Sequence, residues 1–169
     1  DLRTEMGHAI TESGVLIGAV LVIVGLALAL VGFLVDVEIP QAIVAWAKAN
    51  ISSKIVFLLY TNLLLLVVGC LLDILSAIVI FVPLLVPVAV MFDVHPVHFG
   101  IIFLANLEIG YLTPPVGMNL FLSSFRFNKE LPAIWKTVIP YLAVLFVALI
   151  IITYVPWLST AFLDLTPAP

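Results

Sequence analysis

The chain has 169 residues, 64% of them hydrophobic and 9% charged, with a formal net charge of −4 and a mean hydropathy of +1.35. Soluble domains run at about 45–50% apolar and about 25% charged, so this composition excludes an ordinary soluble fold and points to helices in a bilayer. The acidic balance offers no basic patch for nucleic acid. The single cysteine, Cys70, cannot form an internal disulfide and reads as a packing residue.

In chain order, residues 1–13 are polar, with Arg3, Glu5, His8 and Glu12. Residues 14–35, GVLIGAVLVIVGLALALVGFLV, predict a first spanning helix whose glycines suit close helix packing. Residues 39–53 predict an amphipathic helix at the interface: Pro40 fits a first turn, Ile43, Trp46, Ala47 and Asn50 follow at helical spacing, and Lys48 lies opposite. Residues 55–92 are apolar but for GCLLDILS at 69–76. As one helix, those roughly 38 residues would reach about 57 Å, far beyond a hydrocarbon core of about 30 Å. Two arms of about 15–16 residues reach about 24 Å each, which favours a re-entrant hairpin over two spans. DVHPVH at 93–98 reads as a loop, and 97–126 as a membrane helix broken at its middle. RFNKELPAIWK at 126–136 is the most charged stretch, and 137–158 predict a last spanning helix with Tyr154 and Trp157 near its end. Trp46 and Trp135 read as further interfacial anchors. Placing Arg126, Lys129 and Lys136 in the cytoplasm also puts Arg3 there, against Lys48 and Lys54 outside.

The break is GYLTPPVGMNL, 110–120. Proline lacks an N–H and clashes with the carbonyl four residues back, so Pro114 and Pro115 are expected to free the carbonyls of Gly110 and Tyr111. The residue before a proline avoids the helical region, which unwinds Thr113, and Gly110 and Gly117 permit unusual dihedrals on either side. Irregular backbone at membrane depth is tolerated where it is buried in protein or lines a cavity. Free carbonyls and the Thr113 hydroxyl are hard oxygen donors suited to an alkali cation. The half-helix starting near Val116 points a positive N-terminus where a carboxylate can bind. Asp73, at the hairpin tip, is a costly intramembrane carboxylate and so a functional candidate. It is equally placed to cap the second arm. Pro83 and Pro87 in that arm free the carbonyls of Val79 and Pro83.

The run GCLLDILSAIVIFVPLLVPVAVMFDVHPVHFGIIFLANLEIGYLTPPVGMNLF resembles the C-terminal half of the large membrane subunit of TRAP (tripartite ATP-independent periplasmic) transporters. Gly69 with Asp73 four residues on, the Pro83 and Pro87 pair, the loop with Pro96, His98 and Gly100, and the motif with Gly110, Thr113, Pro114, Pro115, Gly117 and Asn119 carry the likeness. TYVPWLS at 153–159 is similar to the family's closing helix. The resemblance implies an all-α polytopic fold, one half of an inverted-repeat elevator transporter with sodium at the tips of hairpin and broken helix. It implies sodium-coupled import of an organic acid, such as a dicarboxylate, keto acid or sialic acid, handed over by a periplasmic binding protein. The implied partners are that protein, a small membrane subunit, the missing N-terminal half of the permease and the lipid bilayer. The implied location is the bacterial inner membrane. The chain is accordingly expected to be a fragment or one half of a longer permease.

On this reading sodium is held by Gly69, Asp73, Gly110, Thr113 and Pro114, and the organic acid by Thr113, Pro115, Val116, Gly117 and Asn119. Ser76, Asn106 and Glu108 are further candidates. No cofactor is expected beyond sodium as coupling ion. His95 and His98 have metal-ligand spacing without further ligands nearby and read as loop residues. Two other classes fit the sequence less well. An intramembrane hydrolase using Asp73 and Glu108 lacks a Ser–His, paired Asp or H-E-x-x-H pattern. A purely structural membrane subunit gives no reason for a polar break in mid-membrane.

Overall fold

The computed structural model describes residues 2–114, 117–161 and 163. Its regular elements over that range are helices: α1 (Leu2–Asp36), α2 (Ile39–Asn50), α3 (Lys54–Leu71), α4 (Ile74–Met91), α5 (Pro96–Tyr111), α6 (Met118–Phe127), α7 (Leu131–Tyr154) and the single turn α8 (Trp157–Thr160). Among the described residues, four stretches are long and apolar enough to cross a membrane: Met6–Asp36, Lys54–Leu71, Ile74–Met91 and Leu131–Tyr154.

Helix α1 starts well before the apolar run at 14–35, taking the polar residues ahead of it into the same helix. The Thr11 hydroxyl donates to the Gly7 carbonyl at 2.9 Å, so it stays within the helix. The close packing expected at the α1 glycines is not made in this chain. A Cβ built on Gly14, Gly18, Gly25 or Gly32 meets nothing within 4 Å. Helix α2 buries Ala47, with Ile43 and Val44 half-buried beside it and Ile51 buried just past its end. Trp46 is 61% exposed.

The apolar run at 55–92 is two helices of 18 residues each, longer than the expected arms. Leu72 and Asp73, both in extended conformation, make the link between them. Each end of that link has a physical stop or start: Leu72 leaves the α3 ladder, and the Asp73 carboxylate caps α4. At the opposite end, the Lys54 ammonium donates to the Asp93 carbonyl at 2.8 Å, tying the start of α3 to the end of α4. The two helices are therefore antiparallel. Pro83 and Pro87 sit inside α4, which continues as helix through both.

Helix α5 packs along α3 in the same direction. Phe57 stacks on Phe99 at 6.4 Å between centroids near the start of both helices. Asn62 bonds Asn106 midway, and Gly69 meets Leu107 and Gly110 at the far end. Lipid is as apolar as leucine, so burial of Leu65, Ile102, Phe103 and Leu107 contributes mainly through close contact. Glycine-mediated approach and polar bonds between helices supply the specificity. The seam has both. The Asn106 amide donates to the Asn62 side-chain oxygen at 2.7 Å, and Asn62 donates to the Thr153 hydroxyl of α7 at 3.1 Å. His98 pairs with the Thr153 carbonyl at 3.2 Å. A carbonyl only accepts, which puts a proton on His98 Nε2. His98 is thus buried inside α5 rather than in a loop, whereas His95 caps α5 by accepting from the Val97 N–H at 3.2 Å. The charged stretch at 126–136 is mostly helix as well: only 128–130 separate α6 from α7. Asn128 turns the chain there at φ 49.

Candidate functional site: the hairpin tip against the helix break

The far end of the α3–α5 seam is where the two motifs meet. A Cβ on Gly69 would lie 2.8 Å from the Leu107 Cα and 2.9 Å from its carbonyl oxygen. A Cβ on Gly110 would lie 2.6 Å from the Gly69 carbonyl carbon. Backbone touches backbone here, and only glycine at both positions permits it. The crossing holds the link at Leu72–Asp73 against the break after Tyr111. Two hydrogen bonds join the motifs above the crossing. The Cys70 thiol donates to the Thr113 carbonyl at 3.4 Å, and the Tyr111 hydroxyl accepts from the Ile74 N–H.

At the tip, the half-buried Asp73 accepts from the Ser76 N–H at 3.0 Å, and Ser76 is buried. The capping geometry expected of Asp73 is therefore realised, whatever else its charge does. In the break, the Gly110 carbonyl is not left free as expected. The Thr113 N–H donates to it at 3.0 Å in a tighter turn, and the Leu112 N–H does the same for Ile109. The Thr113 hydroxyl donates to the Ile109 carbonyl at 2.8 Å, keeping its lone pairs. The carbonyls that do converge belong to Tyr111 and Thr113. Both oxygens lie within 3 Å of the point where a Cβ of Gly117 would be, at 2.7 and 2.9 Å. Gly117 itself has φ +20, so a side chain there is excluded on two grounds.

A cavity of about 440 Å3 adjoins the tip, lined by Asp73, Ile74, Leu75, Tyr111 and Met118 and walled by Ile23 and Val24 of α1. A second, of about 340 Å3, lies beside Cys70, Thr113 and Pro114 and is otherwise apolar.

The structure therefore pairs Gly69 with Gly110, Asp73 with Ser76 and Thr113 with Gly117, while Asp73 borders the first cavity and Thr113 and Pro114 the second. Pro115 and Val116 lie outside the described residues. Asn119 is half-buried in the first turn of α6, where its carbonyl accepts from the Ser123 hydroxyl at 2.8 Å. Two candidates fall elsewhere. Glu108 is exposed although residues 106, 107, 109 and 110 around it are buried. Asn106 is fully buried, one turn before Gly110, and its amide serves the α3–α5–α7 seam. Sequence reasoning missed the Tyr111 side chain and the Asn62–Thr153 pair. For Tyr111 the available signal was a phenol at membrane depth, which needs a polar partner when buried.

Residues 3–158 match the family described as Tripartite ATP-independent periplasmic transporter, DctM component. The chain belongs to this TRAP permease family. It is 37% identical over 162 residues to the C4-dicarboxylate TRAP transporter large permease protein DctM of Pseudomonas aeruginosa, covering 95% of this chain and 38% of that one. It is 42% identical over 125 residues to the isethionate TRAP transporter permease protein DctMQ of Oleidesulfovibrio alaskensis, covering 74% of this chain and 20% of that one. The sialic acid TRAP transporter large permease protein SiaM of Vibrio cholerae is 36% identical over 119 residues, covering 70% of this chain and 28% of that protein. The chain thus spans between a fifth and two-fifths of the length of these curated relatives. At the level of the family these are transporter permeases, not enzymes.

Proposed function

We propose that the chain is the part of a TRAP large permease that supplies one hairpin and one broken helix to a sodium-coupled import site for an organic acid. In this reading α3 and α4 form a re-entrant hairpin. The α3–α4 tip and the α5–α6 break ride together in an elevator motion, and a second, similar half of the permease completes the site. A periplasmic binding protein delivers the acid, a small membrane subunit braces the permease, and the assembly sits in the bacterial inner membrane.

The observation that carries the reading is the glycine-on-glycine crossing. It brings the tip that carries the capped carboxylate Asp73 up to the break, where Asp73 and Tyr111 line one cavity and the Tyr111 and Thr113 carbonyl oxygens converge beside Gly117. Sodium takes several oxygen ligands, and the Tyr111 and Thr113 carbonyls with the Thr113 hydroxyl offer three on one short stretch. The start of α6 offers its N-terminal dipole to the acid's carboxylate. C4-dicarboxylate, isethionate and sialic acid in the names of the relatives are all anionic, which supports an anion as cargo.

The test is sodium-driven uptake of labelled organic acids by the complete permease with its binding protein and small subunit. Thr113→Val, which removes the hydroxyl at nearly constant shape, raises the sodium concentration needed for uptake. Asn119→Ala lowers affinity for the acid at saturating sodium. Pro114→Ala with Pro115→Ala lets the helix close and lowers transport while insertion is normal. Unchanged sodium dependence in the double proline variant would make the break a packing kink and end the proposal.

A further inference from the structure

We propose that the Tyr111 side chain is a latch for the hairpin tip: its hydroxyl completes the N-terminal cap of α4 from the other motif, and the tip opens only when that bond breaks. This rests on the proposed function for its transport consequences, though not for the latch itself.

The first N–H groups of any helix lack partners in their own ladder. In α4 the Asp73 carboxylate takes the Ser76 N–H. The Ile74 N–H is taken by a group 37 residues away, the Tyr111 hydroxyl. Tyr111 is the last residue of α5, immediately before the break, and it is half-buried. Tyr111, Ile74 and Asp73 all border the cavity of about 440 Å3, whose other walls, Ile23, Val24, Leu75 and Met118, are apolar. With the tip seated, the Ile74 N–H has an acceptor. With the tip lifted, it loses that acceptor in a place poor in alternatives. The Cys70 bond to Thr113 does not share this property, because Cys70 belongs to α3 and moves with the Gly69–Gly110 crossing. Tyr111 is therefore a positioning residue. It contributes to closure, while the neighbouring Tyr111 carbonyl, beside Gly117, contributes to the floor of the site.

The geometry also supplies a second way to remove the same bond. Ile74 is the first residue of α4, and Asp73 before it has φ −72 and ψ 156. Proline is favoured at a first helical position, and the residue before a proline prefers that extended conformation. Ile74→Pro therefore deletes the donor with the helix start kept, just as Tyr111→Phe deletes the acceptor with the ring kept.

The experiment uses the complete permease carrying Ser76→Cys as a reporter, since Ser76 is buried in the first turn of α4 beside the latch. Maleimide labelling of that cysteine in membranes reads tip opening, with the rate of the buried native Cys70 subtracted. Losing one satisfied hydrogen bond at this part-buried donor shifts an open–closed equilibrium by up to about tenfold. Tyr111→Phe and Ile74→Pro are each expected to speed labelling by about that factor. The two together are expected to speed it no further, because they remove one bond. In uptake, each variant raises the sodium needed for half-maximal transport. Unchanged labelling in Tyr111→Phe, or additive effects in the double variant, overturns the latch. If Tyr111→Phe does not accumulate, Ile74→Pro alone decides by the same criterion. Absence of sodium-driven uptake in the parent permease overturns the functional reading, and the labelling result still decides the latch.

Discussion

Helix α1 and the α3–α5 seam are written in nearly the same alphabet, and the structure uses them in opposite ways. The most apolar window of α1 is 6% buried inside the chain, and that of α3 is 44% buried. Glycines recur in α1 at 14, 18, 25 and 32 with open space where their side chains would be. Gly69 and Gly110 have backbone atoms 2.6–2.9 Å from theirs. A glycine in a membrane helix is thus a permission for close approach, and whether it is used depends on which helix comes to lie beside it. In α3 and α5 the permission coincides with a polar partner, Asn62 with Asn106, one or two turns away. Small residues and side-chain bonds acting together are what hold helices in lipid, where the hydrophobic effect between them is weak. In α1 the glycines at 14, 18, 25 and 32 meet no neighbour within 4 Å.

Substitutions at four places sharpen or break this contrast, read as thermal unfolding of the purified chain in detergent micelles. The largest effect is expected at the crossing. Gly110→Ala forces two backbones apart, with little side-chain freedom to absorb the strain, and costs about 3 kcal/mol. Gly69→Ala behaves alike, and the pair is less than additive because one displacement relieves both. A shift in either variant as small as that of an α1 glycine would remove the distinction between the two regions.

Next comes the polar seam. Asn106→Leu takes the amide away from Asn62 and from the Ile102 carbonyl and is expected to cost about 1–2 kcal/mol. A double-mutant cycle with Asn62→Leu should show coupling near 0.6 kcal/mol or more. Zero coupling would mean that glycine contact alone sets the seam.

A smaller effect belongs to the cap. Asp73→Ala loses the acceptor for the Ser76 N–H and costs about 1 kcal/mol, while Asp73→Asn costs close to nothing because asparagine caps as well. The same Asn variant removes the charge. Comparing its stability with its sodium response in the complete permease therefore separates capping from ion binding. Normal stability with a weakened sodium response identifies the ionic role, and normal behaviour in both leaves only the cap.

The smallest effect is expected in α1. Gly18→Ala meets no neighbour and adds a better helix former, so its change is near zero or slightly stabilising. Loss of stability there would show that α1 has a close partner after all.

Much of the candidate site was legible beforehand because its signals are local. Pro114 beside Pro115 interrupts any helix, Asp73 before an apolar run caps one, and the spacing of these motifs carries the family resemblance. Other features were misjudged for lack of a partner to compare with. His98 was expected in a loop and is buried inside α5 instead, which was decided by the Thr153 carbonyl that faces it. The Gly110 carbonyl was expected to be free because the lost donor is readable from sequence. Its replacement, the Thr113 N–H in a tighter turn, depends on how the chain leaves the helix.

By itself the sequence determined that the chain is helical and membrane-seeking, where its helices are interrupted, and to which family it belongs. These follow from hydropathy, from the chemistry of proline and glycine, and from motif order, none of which requires knowing what lies across a gap. Only the tertiary structure decided that α3 and α5 run side by side in one direction. It also decided that Gly69 and Gly110 are the glycines in contact, that Asn62, Asn106, His98 and Thr153 share one buried line, and that Tyr111 caps a helix 37 residues away. The physical reason is that a contact in lipid is fixed by shape and by polar groups finding each other across helices. An apolar pattern repeated along nearly every helix carries no address for its partner.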